Sequence, residues 1–168
     1  TTLSQSIHNG EIPSFSNSNI TSASAYLVLR AADASDLYHK YDVYAYPVSE
    51  SWENGNGHYG DNPKDKTDAS WFNRSGVADS NSTAWNTGSA HSNISGIGVT
   101  EALGGGTWVT GSGYEVSQSF QNESPDIRMN VTDIVNKWVT NDISNYGFII
   151  KRSNTDELNG KNWGSIKF

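Results

Sequence analysis

The sequence predicts an all-β fold, an antiparallel jelly-roll-type β-sandwich with long Gly/Ser/Asn/Trp-rich loops and one short helix at about 132–140. Three observations carry this prediction. Short β-prone runs recur along the chain, Gly, Ser, Thr and Asn fill the stretches between them, and a single segment spaces its apolar residues for a helix. Regular helices do not separate the strands, which argues against an α/β sheet. No internal repeat is visible, and residues 1–168 read as one domain.

The elements follow in order. Ala23 to Arg30 (Ala-Ser-Ala-Tyr-Leu-Val-Leu-Arg) is an apolar run that predicts a buried strand. Tyr41 to Val48 is aromatic and β-branched, and Pro47 marks its end as a sheet edge or strand exit. The polar stretch Asp33 to Lys40 is expected to join these two as neighbouring strands. From Ser49 to about Ser112 the chain turns rich in Gly, Ser, Asn and Asp, punctuated by Trp52, Trp71, Trp85 and Trp108. Disordered segments avoid aromatics, so these read as ordered excursions pinned by tryptophan, with a short strand near Thr107 to Thr110. Tyr114 to Phe120 and Asp126 to Val131 predict further strands, Ile127, Met129 and Val131 alternating with polar neighbours. Thr132 is the expected N-cap of the helix, with Asp133 favourable in its first turn. Ile134, Val135, Trp138 and Val139 share one face, and the helix ends before Asn141. Tyr146 to Lys151 is the most strand-like run, and Trp163 to Phe168 is expected to pair with it.

Composition narrows the function classes. Apolar residues make up 35% of the 168, but six Trp, eight Tyr and five Phe let large rings build the core. The net charge of −7 argues against a nucleic-acid partner, which needs clustered positive charge. With no cysteine, disulfides, thiolate metal sites and cysteine nucleophiles are excluded. No apolar run approaches the roughly 18 residues of a membrane helix, so no membrane insertion is expected. The chain opens on a polar stretch at Thr1 that does not resemble a signal peptide. It stops in the strand-like run Gly164 to Phe168, and it reads as an excerpt of a longer polypeptide.

No constellation predicts catalysis. His8, His39, His58 and His91 each fall in a loop-like stretch, without ligand spacing. Asp33-Ala-Ser-Asp36 and Asp61-Asn-Pro-Lys-Asp65 are the best-placed acidic groups for calcium, the one cofactor the sequence leaves open. Neither has EF-hand spacing, and Asp and Asn are also turn formers, so no cofactor is expected. Glu50, Glu53, Glu101, Glu115, Glu123 and Glu157 include no pair that sequence alone brings together for glycoside hydrolysis. There is no nucleophile elbow, phosphate loop or dinucleotide fingerprint, and Gly104 to Gly106 reads as a turn. Trp52, Tyr59, Trp71 and Trp85 have two readings: rings that stack on a glycan or partner, or rings that anchor loops. Anchoring is the commoner use of large rings. Asn-x-Ser/Thr sequons stand at Asn19, Asn73, Asn81, Asn93, Asn122 and Asn130, as expected by chance in so Asn- and Ser-rich a chain.

Tyr44 to Glu53, Asp126 to Trp138 and Tyr146 to Lys151, in this order, resemble the DNRLRE-type or disaggregatase-repeat-like β-sandwich domains, relatives of a carbohydrate-binding-module family. Trp52-Glu-Asn-Gly55-Asn-Gly57-His-Tyr59-Gly60-Asp61-Asn-Pro63 is also similar to a stretch in virion structural proteins of T-even-like marine myophages, notably those of cyanobacteria. Gly104 to Trp108 and Val116 to Phe120 look similar too. The family's usual opening strands and its last strand are absent from these residues. The resemblance implies a β-sandwich at a virion surface or outside the cell, with no shared catalytic residue. It implies other virion proteins or copies of the same chain as partners, with cell-surface glycan as the alternative.

Overall fold

A computed structural model describes residues 24–35, 40–55, 68–70, 73–76, 82–86, 106–121, 126–153 and 165–167. Those residues are mostly β-strands in antiparallel sheets, with one short helix. Their strands are β1 (Tyr26–Leu29), β2 (Asp33–Ser35), β3 (Lys40–Pro47), β4 (Asn73–Ser75), β5 (Thr83–Ala84), β6 (Val116–Gln121), β7 (Ile127–Asn130), β8 (Phe148–Arg152) and β9 (Ser165–Lys167). The helix α1 spans Thr132–Val139. The sheet orders are β1-β7, β2-β9, β6-β3-β8 and β4-β5. The chain divides into two compact units, the second comprising Tyr46–Thr110 and Tyr146–Ile149, the first the remainder.

In the first unit, β3 follows the period-2 rule of a half-buried strand. Tyr41, Val43 and Ala45 are buried, while Asp42 and Tyr44 between them are half-buried. Its register with β6 sets Tyr41 opposite Phe120, and the two rings stack at 4.8 Å between centroids and 8° between planes. Such cross-strand aromatic pairs stabilise a sheet beyond the area they bury. Burial pushes the Tyr41 phenol above 10.0, and the nearby Arg152 guanidinium opposes that shift.

β7 obeys the same alternation, Ile127 and Met129 buried, Arg128 and Asn130 exposed. Its backbone is held on two sides. β1 pairs antiparallel with it, Leu27 opposite Met129 and Leu29 opposite Ile127. The Gln118 carboxamide of β6 donates to Asp126 O at 3.0 Å and accepts from Arg128 N at 2.8 Å. One side chain thus substitutes for a rung of backbone ladder.

Thr132 does not cap α1 as expected from its type. Val131 occupies the N-cap position, with no side-chain cap bond. The Thr132 hydroxyl instead accepts from Ala25 N at 2.9 Å. The Asn130 carboxamide oxygen takes the Thr132 amide at 3.1 Å and its hydroxyl at 2.6 Å. The hydroxyl thus ties the helix start to the residue before β1 instead of capping the helix's own amides. Ile134 and Trp138 are buried as expected, Val135 and Val139 half-buried. The helix closes as a Schellman motif with Asn141 left-handed at φ 59. Asn141 N donates to Trp138 O at 3.2 Å and Asp142 N to Lys137 O at 2.9 Å. The Lys137–Asp142 ion pair, at 3.2 Å, joins the positions that often make an apolar contact in this motif.

Two expected pairings are corrected. β1 and β3 are not neighbours, because the connection between them contains β2, which pairs with β9. The last run pairs there and not with β8, whose partner is β3. In the second unit, Pro47 does end its strand. Its carbonyl accepts from Val109 N at 3.0 Å, and Val48 N donates to Gly147 O at 3.0 Å. The strand expected at Thr107 to Thr110 is a single bridge between Val48 and Trp108.

Asp126, at the entry to β7, gives a pH prediction. Its carboxylate accepts from the Arg30 guanidinium at 2.7 Å and from Ala31 N at 2.9 Å. Arg30 first, then the Ala31 amide, hold its pKa below the ordinary 3.8. A depressed folded pKa contributes stability that is complete above the unfolded value and lost as pH falls through the folded one. The Ala31 amide resonance is expected to titrate with a midpoint below 3.8. In Asp126→Asn that titration disappears; a midpoint at or above the ordinary value contradicts the assignment.

Candidate functional site

The middle region leaves β3 at Pro47 and carries two of the four ring residues singled out from sequence within the described residues. Trp52 is 40% exposed. Its indole N–H donates to Tyr146 O at 2.8 Å, 94 residues away along the chain. The residues around it are clamped by β4. Arg74 Nη1 donates to Ser51 O at 2.9 Å and to Ser51 Oγ at 3.0 Å. Glu53 N donates to Arg74 O at 2.9 Å, and Ala69 N to Glu53 O at 2.8 Å. Gly55, at φ +66, completes this turn; a Cβ there would overlap the Asp68 carboxyl.

Trp85 is half-buried, and its indole N–H donates to Ser70 O at 3.0 Å. Gly106 lies against this ring and Ile149, where an added Cβ would stand 3.9 and 3.4 Å from them. The neighbouring residues Ala69 and Ser70 therefore serve the Trp52 and Trp85 segments respectively. Glu50 was one of several scattered carboxylates in the sequence, and its role here is structural. Its Oε2 accepts from Asn86 N at 2.8 Å and from the buried Thr107 hydroxyl at 2.8 Å. Trp108 packs against Tyr46 with centroids 5.9 Å apart. Tyr59 and Trp71 lie outside the described residues.

Glu50 and Arg74 had no distinguishing sequence signal, since each acts on backbone or hydroxyl groups far away in the chain. The four histidines and the Asp61 to Asp65 group also lie outside the described residues, as does Asp36; Asp33 is in β2. Among the described residues no three His, Cys, Asp or Glu side chains gather as metal ligands, and no helix is long and apolar enough to cross a membrane. In the first unit, Gly113, Asp133, Asn136, Lys137, Thr140 and Asp142 line a shallow cavity of about 160 Å³. Its lysine and Asp142 are paired with each other. Of the sequons, Asn73 lies in β4 and Asn130 ends β7 with its carboxamide oxygen already bonded.

What this arrangement does chemically is hold loops. The Trp52 and Trp85 indole N–H groups are each spent on a backbone carbonyl, an acceptor that would otherwise need water. Trp85→Phe keeps one aromatic ring and removes the bond together with the pyrrole ring, so it is expected to cost about 1–2 kcal/mol or more in urea unfolding. An unchanged midpoint would show that the Ser70 carbonyl finds water at no cost.

No family model, curated protein or solved structure matches this chain.

Proposed function

We propose that the chain is a non-catalytic structural and adhesive domain of a phage virion surface protein, built as a jelly-roll-type β-sandwich. It works by contact, with other virion proteins or copies of itself as partners. The observation that carries this reading is the commitment of the Trp52 and Trp85 indole groups to backbone carbonyls. Side chains held in this way give stiff loops, and stiff loops lose little entropy when a partner docks on them. Among the described residues, Glu50 is likewise committed to loop structure, accepting from Asn86 and Thr107. The phage assignment comes from the resemblance of Trp52 to Pro63.

Trp52 also supports a second reading, a carbohydrate-binding module of a secreted or receptor-binding protein. Its ring is exposed while its edge is fixed by the Tyr146 carbonyl. A fixed, exposed ring is the platform that a sugar face needs.

Quantitative proteomics of purified particles separates the two. The virion reading predicts peptides of this chain co-sedimenting at a fixed ratio to the major capsid protein. Peptides confined to the soluble secreted fraction would overturn it and favour the carbohydrate-binding module.

A further inference from the structure

The outer face of the β1-β7 ribbon presents an unusual group. Tyr26 and Val28 are 43% and 44% exposed, side by side on one strand. Opposite them stand Asn130 and Arg128, both exposed. Arg128 is the diagonal neighbour of Tyr26, and its guanidinium carbon lies 3.8 Å from the centre of the tyrosine ring. Arg30 follows directly after β1 with its side chain 79% exposed. Single exposed apolar residues are ordinary. Here a tyrosine, a valine and a stacked guanidinium share one small rigid surface.

Charge distinguishes the two arginines. Arg30 is paired with Asp126 at 2.7 Å. Among the described residues no carboxylate or carbonyl bonds the Arg128 guanidinium; its recorded contact is the Tyr26 ring. Arg128 is exposed, so solvent and a docking group can reach its guanidinium beside the Tyr26 ring. A guanidinium reached in this way can receive a carboxylate in two parallel bonds.

We propose that this face docks an acidic segment of a partner polypeptide, one carboxylate meeting Arg128 and an aliphatic side chain meeting Val28. The inference rests on the reading of the chain as a domain that works by contact, and it names the chemistry of one such contact. A polypeptide suits the face better than a glycan, because the guanidinium already covers the Tyr26 ring face on which a sugar would stack. Tyrosine and arginine are also the residues on which protein interfaces concentrate their binding energy.

The test uses the purified chain and a short synthetic peptide of alternating glutamate and valine, followed by NMR. The expected result is a salt-sensitive perturbation centred on Tyr26, Val28 and Arg128. Arg128→Glu should weaken it about tenfold or more. Arg128→Lys should recover part of the loss, since it restores charge without the fork. Unchanged Ile127 and Met129 methyl signals show that the ribbon still folds in each variant.

No perturbation at these residues, or equal binding by Arg128→Glu, overturns the proposal. Tighter binding of polygalacturonate than of the peptide would reassign the face to an anionic glycan. A dimer of the chain alone that Arg128→Glu dissociates would reassign it to a second copy. Particle stoichiometry is measured without this peptide, so the docking face and the virion reading can each fail alone.

Discussion

β3 carries hydrogen-bonding partners on both edges, β6 on one and β8 on the other, and the three-stranded sheet depends on it. Its apolar residues point one way because the strand period is two. Tyr41, Val43 and Ala45 are thereby buried, and Tyr41 meets Phe120 as a stacked cross-strand pair. The strand's end is equally determined. Pro47 has no N–H to continue a ladder, yet its carbonyl still accepts from Val109. The middle region begins from that fixed point.

Side chains take over where backbone ladders stop. Gln118 reaches from β6 and satisfies both a donor and an acceptor on β7. Asn130, at the end of β7, takes the Thr132 amide and hydroxyl, and Thr132 in turn takes the first amide before β1. Strand end, helix start and strand start are thus one bonded chain. In the middle region indole groups, Glu50 and Arg74 play the equivalent part. This economy suits a chain with 35% apolar residues, in which aliphatic packing alone has less to contribute.

Elements with a local signal were legible in the sequence. The alternation of Ile127, Met129 and Val131, the helical spacing of Ile134 and Trp138, and the proline at the end of Tyr41 to Val48 all depend on a few adjacent residues. Pairing was not legible. β2 is three residues with no pattern to read, and β9, though strand-like in sequence, carries no mark of its partner, so neither the neighbour of β1 nor the partner of the last strand can be read locally. Thr132 does not cap the helix although a hydroxyl before a helix usually does, because it accepts from the Ala25 amide, a competitor that nothing local in the sequence marks. At the candidate site the anchoring use of tryptophan was foreseen, but the acceptors were not. A backbone carbonyl has no sequence signature, and the one holding Trp52 lies 94 residues away.

The bonding of β3 on both edges and of the two indole anchors implies slow local opening at these described residues. Native-state hydrogen exchange measured by NMR tests it most directly, since protection reports local opening. The account predicts that the Tyr41 to Ala45 amides are among the slowest to exchange, and that the Trp52 and Trp85 indole protons exchange far more slowly than free indole. Exchange of β3 at the rate of the exposed two-residue β5, with both indole protons unprotected, would contradict it.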